Sequence, residues 1–355
     1  MELALTEDQR ALRELSRQIL GDLVTQDRLK QVDAGAEPYD RALWDELAKA
    51  GLLAVGTPEE LDGAGGGMVE LCLLLEEQGR TVAPVPLLPT IVLGAMPLAR
   101  FGTPDQRERM LPGVRDGATV LTAALPPDGG PPSVAAEGGR LTGAVEAVRA
   151  GTIARAILVP AVDGADVRTF LVDPEDAALD VQFMTNHEPR ARVTFESAPA
   201  EPMGDETTFA WLAARAIVGL CALQVGVCER ALRLTADYVT EREQFERPLG
   251  SFQAVQQRVA DAYIDVEAMR WTMWQAAWRL DESLPADREV AIAKAWAADG
   301  GQRVVAAAQH LHGGMGVDMD YALYRYTLWA KDLELSLGGA NRHLSRLGDL
   351  VVEGA

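Results

Sequence analysis

Two short runs hold the residue types best suited to chemistry. The first is Arg242-Glu243-Gln244-Phe245. The second is Gln309-His310-Leu311-His312-Gly313-Gly314-Met315-Gly316. An arginine is a planar, permanently charged fork that grips diphosphates and carboxylates bidentately. Paired glycines let backbone approach a ligand where a Cβ would clash. Taken alone, Arg242 reads as a solvated arginine at a helix end. Other chemistries lack their residues. Of the four histidines (His187, His310, His312, His343), only His310 and His312 are close in sequence. Residues two apart on a helix do not face each other, so a metal site is not expected there. His312-Gly313-Gly314 could form an oxyanion hole, but the chain has no GxSxG nucleophile elbow and no P-loop. Gly63-Ala64-Gly65-Gly66-Gly67 lacks dinucleotide-binding spacing, and no strand precedes it.

These runs need elements to position them. A chain of 355 residues is long enough for two or three domains and a large core. Residues 1–118 read as an N-terminal helical domain. Thr6 and Gln9 make a capping-box pattern, and Leu12, Leu15, Ile19 and Leu23 recur at helical spacing. Further helices are expected over 39–53, 69–80 and 91–101, with Thr103 capping one more. Residues 119–204 change texture. Short β-branched or alternating runs at 140–145, 156–161, 168–172 and 191–195 predict a small antiparallel β-domain. Residues 205–355 are helical again, with long segments at 213–241, 252–281, 286–310 and 332–350, read as a four-helix bundle. Trp271, Trp274 and Trp278 share one helical face, as bundle core or subunit interface; flavin stacking by one of them is the minor alternative. The fold class is α+β.

Charge and composition exclude several roles. The net charge is −20, which argues against nucleic acid and against anionic membrane surfaces. A phosphorylated ligand must therefore depend on local arginines. Cys72, Cys221 and Cys228 form no CxxC pair and read as buried small hydrophobes in a reducing cytosol. The N-terminus has no basic segment followed by an apolar one, so no signal peptide is expected. No uninterrupted apolar run reaches the ~18 residues of a bilayer span. The expected location is cytoplasmic.

The run from Tyr238 to Gln253, the segment His310 to Gly316, and Asp320-Tyr321 followed by Arg325 and Lys331 together resemble the acyl-CoA dehydrogenase family. Arg242, Phe245 and Gln253 match its RxxF…Q pattern. Gly313 and Gly314 match its QxxGG pattern, with His310 where glutamine is usual and Gln309 beside it. Glu246 stands where glycine is usual. The resemblance runs over the whole chain and is most specific in its last third. It implies a bent FAD between two subunits, with Arg242 on the diphosphate of a neighbour's FAD, Phe245 packed on the cofactor and the glycines near the ADP portion. It also implies α,β-dehydrogenation of an acyl-CoA thioester, with electron-transfer flavoprotein as the expected acceptor.

Two departures shape the functional expectation. The family's flavin-ring motif, roughly TEPxxGSD, here reads Ala124-Leu125-Pro126-Pro127-Asp128-Gly129-Gly130-Pro131, without the threonine or the serine. The turn that carries the family's carboxylate base reads Leu335-Ser336-Leu337-Gly338-Gly339-Ala340, so the base position falls on Leu337 or Gly338. The family's alternative base position, near Ala216, has no carboxylate either. Glu334, one turn back from Gly338, is the candidate for a relocated base. Some actinobacterial-type members of this family resemble α2β2 assemblies in which one subunit brings the base and the other brings adenine-side contacts. The expectation is such a partner subunit, acting on fatty acyl or bulky sterol side-chain substrates. The alternatives are a self-sufficient homo-oligomer with a relocated base, or a flavin-free structural protein on the same fold.

Overall fold

The computed structural model of the chain describes residues 4–353. Of the N-terminal stretch read for a leader, residues 1–3 lie outside the described residues. Seven helices come first: α1 (Glu7–Leu23), α2 (Gln26–Ala34), α3 (Arg41–Lys49), α4 (Met68–Thr81), α5 (Met96–Phe101), α6 (Pro104–Met110) and α7 (Pro112–Arg115). The capping box forms as expected. Thr6 Oγ1 accepts from the Gln9 N–H at 3.2 Å, and Gln9 Oε1 accepts from the Thr6 N–H at 3.0 Å. The segment expected as one helix over 91–101 begins earlier and is wider-wound over Leu88–Ala95, with Pro89 and Pro97 flanking the change. Helix α2 carries little apolar periodicity and was not expected.

The middle of the chain is one eight-stranded sheet: β1 (Leu121–Ala123), β2 (Ala135–Glu137), β3 (Arg140–Arg149), β4 (Ala156–Asp163), β5 (Asp166–Val172), β6 (Ala178–Phe183), β7 (Pro189–Pro199) and β8 (Glu201–Met203). The order is β6-β7-β3-β2-β4-β5-β8, with β1 pairing β4. The expected strands are β3, β4, β5 and β7. Strands β1, β2 and β8 are too short to show alternation. The sheet is not purely antiparallel, because β1 and β2 both run parallel to β4.

Five long elements follow: α8 (Thr208–Glu241), α9 (Gln253–Asp281), α10 (Asp287–His312), α11 (Leu323–Leu335) and α12 (Ala340–Glu353), with a small hairpin of β9 (Glu243–Gln244) and β10 (Arg247–Pro248) between α8 and α9. The fourth expected helix, over 332–350, is therefore two helices. Left-handed Leu337 (φ 56°) and Gly338 (φ 94°) break it. Helix α8 is the axis of the apolar core. Two glycines let it touch α4: a Cβ on Gly226 would stand 1.9 Å from Glu76 O, and one on Gly79 would stand 2.1 Å from Leu223 O. By length and composition α8 could cross a membrane, with a mean hydropathy of 1.7 over its most apolar window, which corrects the expectation that no segment could. In the fold 83% of that window is buried, as a core helix requires. All three cysteines are free and buried.

Candidate functional site

The two motif runs meet at one end of the α8–α10 pair. Helix α8 ends where Arg242 turns extended, its N–H still bonded to Tyr238 O. The chain then folds into the β9–β10 hairpin, closed by the Leu249 N–H donating to Arg242 O at 2.8 Å. The hairpin apex is Phe245-Glu246, both left-handed (φ 55° and 62°), a conformation that disfavours side chains with a Cβ. Phe245 is 84% exposed. Gln253, the first residue of α9, is also exposed. Opposite, α10 ends at Gly313 with φ 60° and ψ −134°, a region that favours glycine. A Cβ on Gly313 or Gly314 would meet nothing within 4 Å, so the outer side of this turn is open.

Buried His312 joins the two runs. Its ring stacks on Tyr238 at 4.3 Å and 20°, one turn before Arg242. Its Nδ1 lies 2.8 Å from Ala308 O and its Nε2 3.1 Å from the Tyr321 hydroxyl. Burial pushes its pKa down, against the hydrogen bond to Ala308. His310 points to solvent and Gln309 is half-buried, so the two histidines do not face each other. Arg242 forms no salt bridge among the described residues. Arg242, Phe245, Gln253, Gly313 and Gly314 are all exposed, and the two runs they belong to are tied together where Tyr238 stacks on His312.

The second set of candidates lies where α11 breaks, against the sheet. Here Leu125, Pro127, Val148, Arg149 and Leu337 help line a cavity of about 50 Å3, room for only a few water molecules. Arg149 on β3 and Arg190 on β7 are directly opposite in the antiparallel ladder. Two buried like charges there would be costly without acids between them. Glu188 and Asp332 supply these. Arg149 pairs with Glu188, and also with Asp332 at 2.6 Å; Arg190 pairs with Glu188 at 2.8 Å and Asp332 at 2.5 Å. Arg149 also donates to Ser336 Oγ at 3.0 Å. Burial pushes the Glu188 carboxyl up, but the two guanidiniums outweigh it and hold the carboxyl well below the usual range.

The turn at Leu337 and Gly338, expected from the sequence to hold the base position, is closed down on the same spot. The Leu337 N–H donates to Pro127 O at 2.8 Å, and a Cβ on Gly129 would stand 2.4 Å from Leu337 O. Neither Leu337 nor Gly338 can accept a proton. The Glu334 carboxylate is held by Lys331 at 2.6 Å and is not among the residues lining the cavity. Lys294, fully enclosed, donates to the carbonyls of Leu333 (2.6 Å) and Glu334 (3.2 Å) and so caps the C-terminus of α11. Burial lowers its pKa to about 8. Reading the sequence missed Arg149, Glu188, Arg190, Asp332 and Lys294. The one local signal was an arginine flanked by Val148 and Ala150 in a strand otherwise turning apolar.

Comparison with known proteins follows the same outline. The models for the acyl-CoA dehydrogenase N-terminal domain and C-terminal domain match residues 6–118 and 213–351. Acyl-CoA dehydrogenase FadE27 of Mycobacterium tuberculosis is 39% identical over 99% of each chain. Among solved structures, the ChsE4-ChsE5 complex from Mycobacterium tuberculosis superposes with a TM-score of 0.95 at 39% identity, over 99% of each chain. A variant of the Tcur3481-Tcur3483 steroid ACAD superposes at 0.93 with 44% identity, over 98% of each.

Proposed function

The chain belongs to the acyl-CoA dehydrogenase family, whose cofactor is FAD, and we propose that within it this chain is the subunit that completes the FAD site of an unlike, base-carrying partner. One contrast carries the reading. Arg242, Phe245, Gln253 and the Gly313-Gly314 turn are exposed and open, while the turn at Leu337 offers no carboxylate and the cavity it lines with Arg149 and Arg190 holds only about 50 Å3. The open residues fit a dinucleotide held by its diphosphate. That cavity is too small for a flavin ring and no carboxylate lines it; Leu337 also borders a groove of about 870 Å3 whose acids are Asp287, paired with Arg346, and Asp349.

In this reading Arg242 holds the diphosphate of an FAD seated mainly in the partner, as a bidentate guanidinium suits. Phe245 packs against the cofactor, and the glycine turn brings backbone N–H groups close to its adenine side. When bound, FAD supplies the acceptor for the hydride leaving the β-carbon of the acyl-CoA. This chain's residues bind and orient, and the partner's base takes the α-proton. The similar steroid ACAD and the two-protein ChsE4-ChsE5 complex support an assembly of unlike subunits and a steroid-type substrate; the proposed form is α2β2 and the proposed substrate a sterol side-chain thioester. Electron-transfer flavoprotein is the proposed acceptor.

The test is to express the chain alone and with an adjacent acyl-CoA dehydrogenase gene, then measure FAD per chain and activity. Flavin and activity only in the co-expressed sample, near one FAD per unlike pair, support the reading. A yellow, active protein from this chain alone sinks it and returns attention to Glu334. In the complex, Arg242→Ala is expected to weaken FAD retention about tenfold or more, since a charge-assisted contact contributes ~1.5–3 kcal/mol.

A further inference from the structure

The hairpin that presents Phe245 has an unfavourable apex, and a side-chain stack through Arg247, outside the matched motif, packs against it. Two successive non-glycine residues, Phe245 and Glu246, sit in the left-handed region at its apex. The hairpin has only two paired residues on each strand, Arg247 against Gln244 and Pro248 against Glu243. A ladder this short cannot hold such a turn by itself. The missing support is a stack of three side chains. The Arg247 guanidinium lies over the Phe252 ring, 3.9 Å from its centroid. Phe252 in turn meets Phe245 edge-on, with centroids 6.2 Å apart and planes at 77°. Phe252 is the residue from which α9 starts, immediately before Gln253. The stack therefore runs from the return strand of the hairpin, across the start of α9, back to the hairpin apex.

Arg247 is flanked in sequence by acids, with Glu243 and Glu246 on the same hairpin, yet it forms no salt bridge among the described residues. Its cation is directed to the aromatic face instead. Resting on the partner-subunit reading above, we propose that Arg247 is a positioning residue: by clamping Phe252 it fixes the strained Phe245 turn in the shape that engages the partner's FAD. Arg242 at the hairpin base, Phe245 at its apex and Gln253 beyond it then move as one preformed unit, so little ordering remains to be done when the subunits meet.

The test uses the purified complex and the isolated chain. FAD release is followed by flavin fluorescence in the complex for Arg247→Ala, Arg247→Lys and Arg242→Ala. Amide hydrogen exchange over residues 243–248 is followed in the isolated chain. The expected result is release about fivefold faster with Arg247→Ala, as an exposed cation–π contact allows, with faster exchange across the hairpin. Arg247→Lys, which keeps a cation over the ring, should restore most of both. Faster release with unchanged exchange would mean that Arg247 touches the cofactor directly, and it overturns the positioning role. No change in either readout for Arg247→Ala, while Arg242→Ala sheds FAD, overturns it and leaves the partner-subunit reading standing. No FAD loss with Arg242→Ala brings down that reading and this inference with it.

Discussion

His343 shows how a single residue ties this fold to pH. It is 4% exposed in the first turn of α12, its Nε2 lies 2.9 Å from Leu337 O, and its Nδ1 has no partner. Burial, partly offset by the Leu337 hydrogen bond, lowers its pKa to about 4 from a usual value of 6.5. The neutral ring is therefore the folded form. As pH falls from 6.5 towards 4 the unfolded chain binds a proton that the folded chain refuses, so stability is lost across that window. The expected loss is on the order of 2 kcal/mol. Urea midpoints at pH 7 and pH 4.5, for the native chain and for His343→Gln, provide the check. If the variant loses as much stability as the native chain over that range, His343 is not the group responsible. At this scale the proposed site rests on what the sequence itself displays. Arg242, Phe245 and the glycine pair carry their meaning in residue type and local spacing, whereas the orphaned Nδ1 of His343 depends on what folds over it.

At the scale of elements, three separate pieces of chain close the cavity at Leu337. Strands β3 and β7 bring two arginines face to face, α11 brings Asp332, and the loop before β7 brings Glu188. Removing one member leaves buried charges without partners. Arg149→Leu is expected to lower the unfolding free energy by about 3–5 kcal/mol, read from the shift of the urea midpoint at constant slope. A shift below ~1 kcal/mol would show that the network is solvated and does not tie α11 to the sheet. Long helices were legible because apolar periodicity accumulates over many turns. The break between α11 and α12 was not, since Leu337 in the left-handed region is imposed by the Pro127 carbonyl and by Lys294 capping the helix before it.

For the whole molecule, the outer faces are the issue. Helix α9 leaves Tyr263, Ile264 and Trp271 exposed, Trp271 by 47%, beside a groove of about 780 Å3 between α8 and α9. Tyr263 and Ile264 line that groove together with Arg230 and Arg233. An apolar strip on the helix that starts at Gln253 is continuous with the proposed FAD-completing edge, and an unlike subunit would cover it. Ile264→Asp is expected to weaken assembly with the partner at least tenfold, measured by sedimentation or light scattering, without changing the melting temperature of the isolated chain by more than a few degrees. Unchanged assembly would place the partner on another face.

By itself the sequence determined the order of helices, sheet and helices, the two motif runs, and the lack of a carboxylate at Leu337 and Gly338. These are local properties: helical periodicity, strand alternation and residue identity do not depend on distant partners. Only the tertiary structure decided that the two runs are brought to the same end of α8 and α10, where Tyr238 stacks on His312. It alone decided that Arg149, Glu188, Arg190 and Asp332 pair into one buried network where α11 meets the sheet. Those four charges come from segments far apart in the chain. Whether a buried charge is an error or half of a pair depends on which segments pack together, and that is settled only when the core closes.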